Sequence, residues 1–496
     1  MEHSDLTSQL RNVWIAILLL IAGVHGHAQN QYLSFGTGGT PMALGGDYRA
    51  LGWNPAQISF SPLNHADWKS AAGGFEFGAR LSSTALSRGD IWNSLLNRGN
   101  GSIDDWSGDD WNQYVDLLTN ESITLNADVL TAASSKKWRN WAVAYSNTQH
   151  FQAEAYFDAT PIQLLVQGGG GEWAALFDSL LTDGGAAVEN TGDFSAEELL
   201  SFQGGINING DGLIAELLQE SRLGFSYQRC HTIGISKAWK LGDFILHTGV
   251  SGQLILGNGY FSVKTTDGNL DAFGAFSNGF NYDALATLQN GVPNSFEEAR
   301  KWGPVGQGWG LDFGGVLELK DQFWISTAIS DLGRVEWRGE RYSVNTALTT
   351  WATPVEDPTN VGDLMLGALS PNTWFNEAAL ETRVIPNGIK FQLGGGMHFG
   401  KFLMLAGEMA FDNPDLIGNA GTRLGATAVI SPVRFIRIDL GLSKWGNETY
   451  RIPAGFTIRS GNKGFECGLQ ATDIQVLWKE SQSEIGFRAI VMRWVW

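Results

Sequence analysis

The chain has 496 residues and a formal net charge of −18 at pH 7, a sign that repels phosphate backbones and sets nucleic acid aside as a partner. Its mean hydropathy of −0.10 would suit a soluble protein, but a wall of alternating lipid-facing and lumen-facing residues averages to the same value. Glycine at 63 residues, tryptophan at 20 and charged residues at 17% depart from ordinary globular usage, in which glycine is about 7%.

At the N-terminus Arg11 precedes an apolar run from Val13 to Val24, and Gly26-His27-Ala28 supplies small residues at a peptidase site. The layout predicts a secretory signal peptide over residues 1–28, cleaved before Gln29. The other reading is a membrane anchor, but a spanning helix needs about 20 apolar residues.

Phe35 to Ala56 follows, rich in small residues and containing Asp47 and the triplet Asn54-Pro55-Ala56. It is no nucleotide loop, because Gly36 and Gly38 would need a third glycine where Pro41 stands. Proline after asparagine biases Asn54 toward extended geometry, and the Asn side chain suits an Asx turn. A compact plug and an ordinary surface turn both fit these residues.

Alternation of apolar and polar residues then predicts fourteen strands, near 66–83, 122–134, 138–157, 222–239, 243–265, 308–320, 322–338, 388–399, 402–412, 421–431, 434–444, 451–460, 463–473 and 484–496. Ile389, Phe391, Leu393 and Met397 share one face against Lys390, Gln392 and His398, and Ile436, Ile438, Leu440 and Leu442 oppose Arg437 and Asp439. Tight turns fall at Ser135-Lys136-Lys137, Leu241-Gly242, Asp321, Gly400-Lys401, Pro432-Val433 and Gly461-Asn462. The longer connections 84–121, 158–221, 266–307 and 339–387 alternate with them. Short turns on one side, long loops on the other and an even strand count predict an all-β, antiparallel transmembrane barrel.

Helical spacing recurs inside the long connections. Trp173, Leu176, Phe177 and Leu180 share one face, and Ser195 with Glu198 and Ser295 with Glu298 read as capping boxes. Such helices form a lid over the barrel mouth or a separate binding surface, with Trp173, Leu176 and Phe177 as lid contacts. The chain ends Arg493-Trp494-Val495-Trp496, and a terminal aromatic such as Trp496 on an amphipathic strand resembles the signal read by barrel assembly machinery.

Chemistry-bearing residues are sparse. Cys230 and Cys467, the only cysteines, lie in separate strand-like runs and read as free thiols. No Gly-x-Ser-x-Gly elbow occurs, and no His/Cys spacing suits zinc. The adjacent Cys230 and His231 point to opposite faces of a strand. Asp312, Glu318, Glu408, Arg437, Asp439 and Arg459 fall on the lumenal face, where pairing lowers the cost of a confined charge. The reading is a lumenal charge network, with no enzyme, metal or cofactor.

Asp47 and Asn54-Pro55-Ala56 are similar to the N-terminal segment of the long-chain fatty-acid transporter superfamily of outer-membrane barrels, in which that segment plugs the lumen. Ile329-Ser330-Asp331-Leu332-Gly333 with Trp337 resembles an element of an uncharacterised Bacteroidota branch of the same superfamily. The stretch before Asp47 is short for the full plug of that family. After the signal peptide over 1–28, the resemblance implies a plug over 29–63 and a barrel over 64–496. It implies a monomer in the outer-membrane lipid of a Gram-negative bacterium, passing hydrophobic or amphipathic small molecules, with Asp47 and Asn54 to Ala56 holding the gate. An accessory barrel of the type nine secretion system carries a similar Asn-Pro-Ala element, so the alternative is a secretion-associated barrel that binds a protein partner.

Overall fold

A computed structural model describes residues 39–60, 62–63, 68–83, 119, 121–157, 179–182, 186–191, 194, 202–206, 221–266, 269–277, 303–320, 322–344, 349–350, 375–412, 421–433, 435–446, 450–460, 464–479 and 484–496. The segment 1–28, the lid positions Trp173, Leu176 and Phe177, and both capping boxes lie outside the described residues. Among the described residues no helix is long and apolar enough to cross a membrane.

Fourteen strands make one antiparallel sheet that closes on itself. They are β1 Ser70–Ser83, β2 Glu121–Trp138, β3 Trp141–Phe157, β4 Arg222–Leu241, β5 Phe244–Thr266, β6 in two pieces (Asn269–Phe276 and Gly306–Leu319), β7 Phe323–Val344, β8 in two pieces (Phe375–Pro386 and Lys390–Phe399), β9 Leu403–Asp412, β10 Gly421–Val433, β11 Ile436–Trp445, β12 Ala454–Arg459, β13 Gly464–Ala471 and β14 Glu484–Val495. Both pieces of β6 pair with β5 and β7, and both pieces of β8 pair with β7. The ring closes between β1 and β14, with Ala71 opposite Val495 and Ser82 opposite Glu484. At that seam the Trp496 carbonyl accepts from the N–H groups of Lys69 and Ser70, each at 2.8 Å. Closure removes the unpaired edges that an open sheet presents.

The polarity of the wall is inverted relative to a soluble core. In the lower piece of β6, Trp309, Leu311, Phe313 and Leu317 are exposed outside while Asp312 and Val316 are buried inside. In β11, Ile438, Leu440 and Leu442 are exposed while Arg437 and Asp439 are buried. A continuous apolar outer face of this size is a liability in water and a requirement in hydrocarbon. Period-two alternation along strands of this length therefore builds both faces at once.

Several boundaries move from their expected places. The turn expected at Ser135-Lys136-Lys137 lies at Arg139-Asn140 instead, where Arg139 adopts φ +54. Ser135 is buried on the inner face, and the Lys137 N–H donates to the Lys69 carbonyl, so this polar run belongs to the wall. β10 continues through Pro432 to Val433 across a bulge. The connections 266–307 and 339–387 each contain an upper strand piece, Asn269–Phe276 and Phe375–Pro386. Leu180, expected on a helix, lies buried in the strand Ser179–Thr182, which joins a separate four-stranded sheet with Ala187–Glu189, Phe202–Ile206 and Thr349–Thr350. Backbone pairing with Phe202–Ile206 overrides the local helical spacing there.

Candidate functional site, the lumenal N-terminal segment

Residues 39–63 bond to strands on every side of the ring, which a single stretch of chain can do only from inside it. Thr40 Oγ1 donates to Thr427 Oγ1 of β10 at 2.9 Å. The Met42 N–H donates to Glu408 of β9 at 2.8 Å, and Trp324 Nε1 and Ser326 Oγ of β7 donate to the carbonyls of Ala43 and Met42 at 2.9 and 3.0 Å. Tyr48 donates to Glu76 of β1. Asp47 pairs with Arg493 of β14. Ser59 pairs with His247 of β5 at 2.8 Å, and Arg459 of β12 donates to the Leu63 carbonyl at 3.1 Å.

The segment folds as three single turns. Pro41–Leu44 is helical with proline in its first turn, Asp47–Ala50 is a 3-10 turn, and Pro55–Ile58 is a second 3-10 turn. Asn54 caps the last of these. Its backbone is extended, as a following proline requires, and its Oδ1 accepts from the Ala56 N–H at 3.0 Å while Nδ2 donates to the Gly315 carbonyl of β6 at 3.3 Å. Gln57 Nε2 donates to the Met42 carbonyl at 2.6 Å and ties the first turn to the last. Asp47 sits at φ +50, a left-handed conformation that short polar side chains tolerate.

Wall glycines make the floor on which the segment rests. Gly249 of β5 and Gly314 of β6 lie directly opposite each other. A side chain on Gly314 would strike Asn54 Oδ1, and one on Gly249 would strike the Pro55–Ala56 peptide. Close backbone approach is the reason these two positions carry no side chain.

The six lumenal charges expected to form one network separate into groups. Glu408 holds Met42 and pairs with Arg423 at 2.9 Å. Glu318 reaches the segment through His247, 3.2 Å away. Arg459 pairs with Glu466 at 3.0 Å, and Glu466 pairs in turn with Arg493. Arg437 bonds Thr457, with Asp439 buried nearby on the same strand. Asp312 bonds to the wall. It accepts from Ser251 at 2.6 Å and from the Asp331 N–H at 2.9 Å, beside a buried ion pair of Asp331 with Lys390 at 3.0 Å.

The residues that alternation missed lie at bulges. β14 has two residues between Ile490 and Arg493 where β13 has one between Glu466 and Gly468. The extra residue turns Arg493 inward, fully buried, and Trp494 outward. β7 has Ser330 and Asp331 between Ile329 and Leu332 where β6 has only Asp312. Asp331 stands at φ +62 and both residues face inward. The stretch Ile329 to Gly333 is thus a bulge that aims a carboxylate at Lys390.

Beyond the segment, away from the short turns, the inner wall turns apolar. Ile255, Tyr260, Phe273, Val335, Trp337 and Ile385 pack as one cluster, with the Tyr260 and Trp337 rings 5.0 Å apart. Cys230 belongs to this cluster, and both cysteines are free. Among the described residues no three metal-ligating side chains converge.

Fold and lumen together define a closed antiparallel barrel of inverted polarity with its own chain folded into the lumen. The chain matches the model described as "Family of unknown function (DUF5723)" over residues 193–377, less than half its length. No curated protein matches it in sequence. Among solved structures it is similar to the toluene transporter TodX of Pseudomonas putida at 9% identity and a TM-score of 0.39, covering 90% of this chain and 92% of that one. It is similar to the toluene transporter TbuX of Ralstonia pickettii at 12% identity and a TM-score of 0.42, covering 96% and 99%. A FadL homologue of Pseudomonas aeruginosa matches at 11% identity and a TM-score of 0.40, covering 95% and 97%. Likeness at this level says nothing of what this chain carries.

Proposed function

We propose that the protein is an outer-membrane channel for hydrophobic or amphipathic small molecules, with residues 39–63 as the plug that gates it. The observation that carries this reading is the order of surfaces along the lumen. At the short-turn end the N-terminal segment fills the ring and is anchored to the wall on all sides. Past it lies the apolar cluster of Ile255, Tyr260, Phe273, Val335, Trp337 and Ile385. A water-filled pore has a polar interior, whereas an apolar inner wall favours ligands that leave water readily. The exposed apolar outer face supports a membrane setting, with the short turns and Trp496 on the periplasmic side. Asp47 and Asn54 to Ala56 hold the plug to the wall.

Reconstituted into liposomes, the full chain should speed entry of hydrophobic probes over a polar solute of similar size. Removal of residues 39–63 should abolish that preference and raise the conductance to small ions. Equal rates for polar and hydrophobic solutes through the intact chain would overturn the reading.

A further inference from the structure

We infer that the inner wall and the N-terminal segment together bind a small inorganic anion, centred on Arg437 and Arg49. The inference is independent of what passes through the lumen. Arg437 of β11 is 2% exposed, and its hydrogen bond from Nη2 to Thr457 Oγ1, at 3.1 Å, goes to a neutral hydroxyl. Its Nε and Nη1 are buried with no hydrogen-bond partner. Arg49, on the segment, is 7% exposed and likewise has Nε and Nη1 buried and unbonded.

The surrounding carboxylates are committed elsewhere. Glu466 is held by Arg459 and Arg493, Asp47 by Arg493 and Arg49, and Glu76 receives the Tyr48 hydroxyl. Asp439 is the acidic group facing Arg437 from its own strand, and it leaves those two nitrogens unbonded. Arg459, Arg49 and Arg493 all act on Arg437 electrostatically, from β12, from the segment and from β14. Register explains the crowding on the wall side. Arg437 lies opposite Thr457, Arg459 follows two residues along on the same face, and Arg493 lies opposite Glu466.

Guanidinium groups sequestered from water with open donors are costly unless a charge meets them. The planar fork suits a halide or a phosphate-type oxyanion. An anion held between Arg49 and Arg437 would bridge plug and wall. Without it, the like charges of the two guanidinium groups repel each other and the plug is held less firmly.

The test follows thermal unfolding of the full chain in detergent as sodium chloride, bromide or phosphate replaces sodium gluconate at constant ionic strength, gluconate being too bulky for a buried site. The expected result is a saturable rise in Tm of several degrees with at least one small anion and none with gluconate, as ligand linkage requires. Chloride and phosphate arms distinguish the two anion types. Arg437→Gln and, separately, Arg49→Gln should each abolish the rise, each variant being compared with its own Tm in gluconate. Anomalous density from bromide between the two side chains would locate the ion. The same anion response in both variants as in the parent, or no saturable response in the parent, would overturn the site.

Discussion

Asn54 does two things with one side chain: it caps Pro55–Ile58 and tethers the turn to the Gly315 carbonyl. Asn54→Ala should cost about 1 kcal/mol from the lost cap, and it should appear as faster proteolysis within residues 39–63 while the barrel stays folded. Tyr48 is a second fastening. Burial, and after it the neighbouring Glu76, pushes its phenol well above the usual range, so it remains a neutral donor at any physiological pH. Tyr48→Phe removes that donor from a buried carboxylate and should destabilise by about 1–3 kcal/mol in denaturant unfolding. A larger loss belongs to Asp331. Asp331→Ala takes a paired carboxylate from the buried Lys390 ammonium, and removing one partner of a buried pair costs about 3–5 kcal/mol. A stability change within 1 kcal/mol, roughly the size of an ordinary surface substitution, would show that Lys390 finds another partner.

Among the elements, bulges and breaks decide which residues face the lumen. The extra residue of β14 inverts the alternation between Ile490 and Arg493, bringing a guanidinium to Asp47 and Glu466. Deletion of Met492 would match β14 to β13 one for one and leave Arg493 two residues after Ile490, still inward and opposite Glu466. The expected outcome is a barrel that assembles without the bulge, read as a retained compact band in unboiled gel samples. β7 uses the same device at Asp331, beside the short interruption of β8 at Asn387 to Ile389, where Asn387 bonds the Trp309 and Gly333 carbonyls. The glycine pair Gly249 and Gly314 acts as an element too, as a flat patch across two strands. Gly314→Val should lift the Asn54 turn off the wall and raise ion conductance without disturbing the ladder.

For the whole molecule, the ring and its inverted polarity stand or fall together. Exposed Trp309, Phe313, Leu440 and Phe456 on the outer face need an apolar surround, so the folded chain should remain monodisperse in detergent and aggregate on its removal. A monodisperse, folded chain in plain buffer would contradict the membrane setting. The long seam between β1 and β14 joins the two ends of the barrel sequence, which makes closure a late, non-local event in folding.

Alternation is a local property, so strand number, the short-turn end and the polarity of both walls are legible residue by residue. The Asn-Pro-Ala turn is legible for the same reason, because proline constrains the residue before it and asparagine bonds two residues ahead. Partnership inside the lumen is not. Arg493 and Asp331 reach it through bulges that break the period being read, and Asp47 meets Arg493 across 446 positions of chain. The same holds for the upper pieces of β6 and β8 and for the strand that replaces a helical pattern at Leu180, where pairing with distant backbone outweighs local spacing. Side-chain order along one strand thus settled the wall, and only closure of the ring decided which inward charges meet.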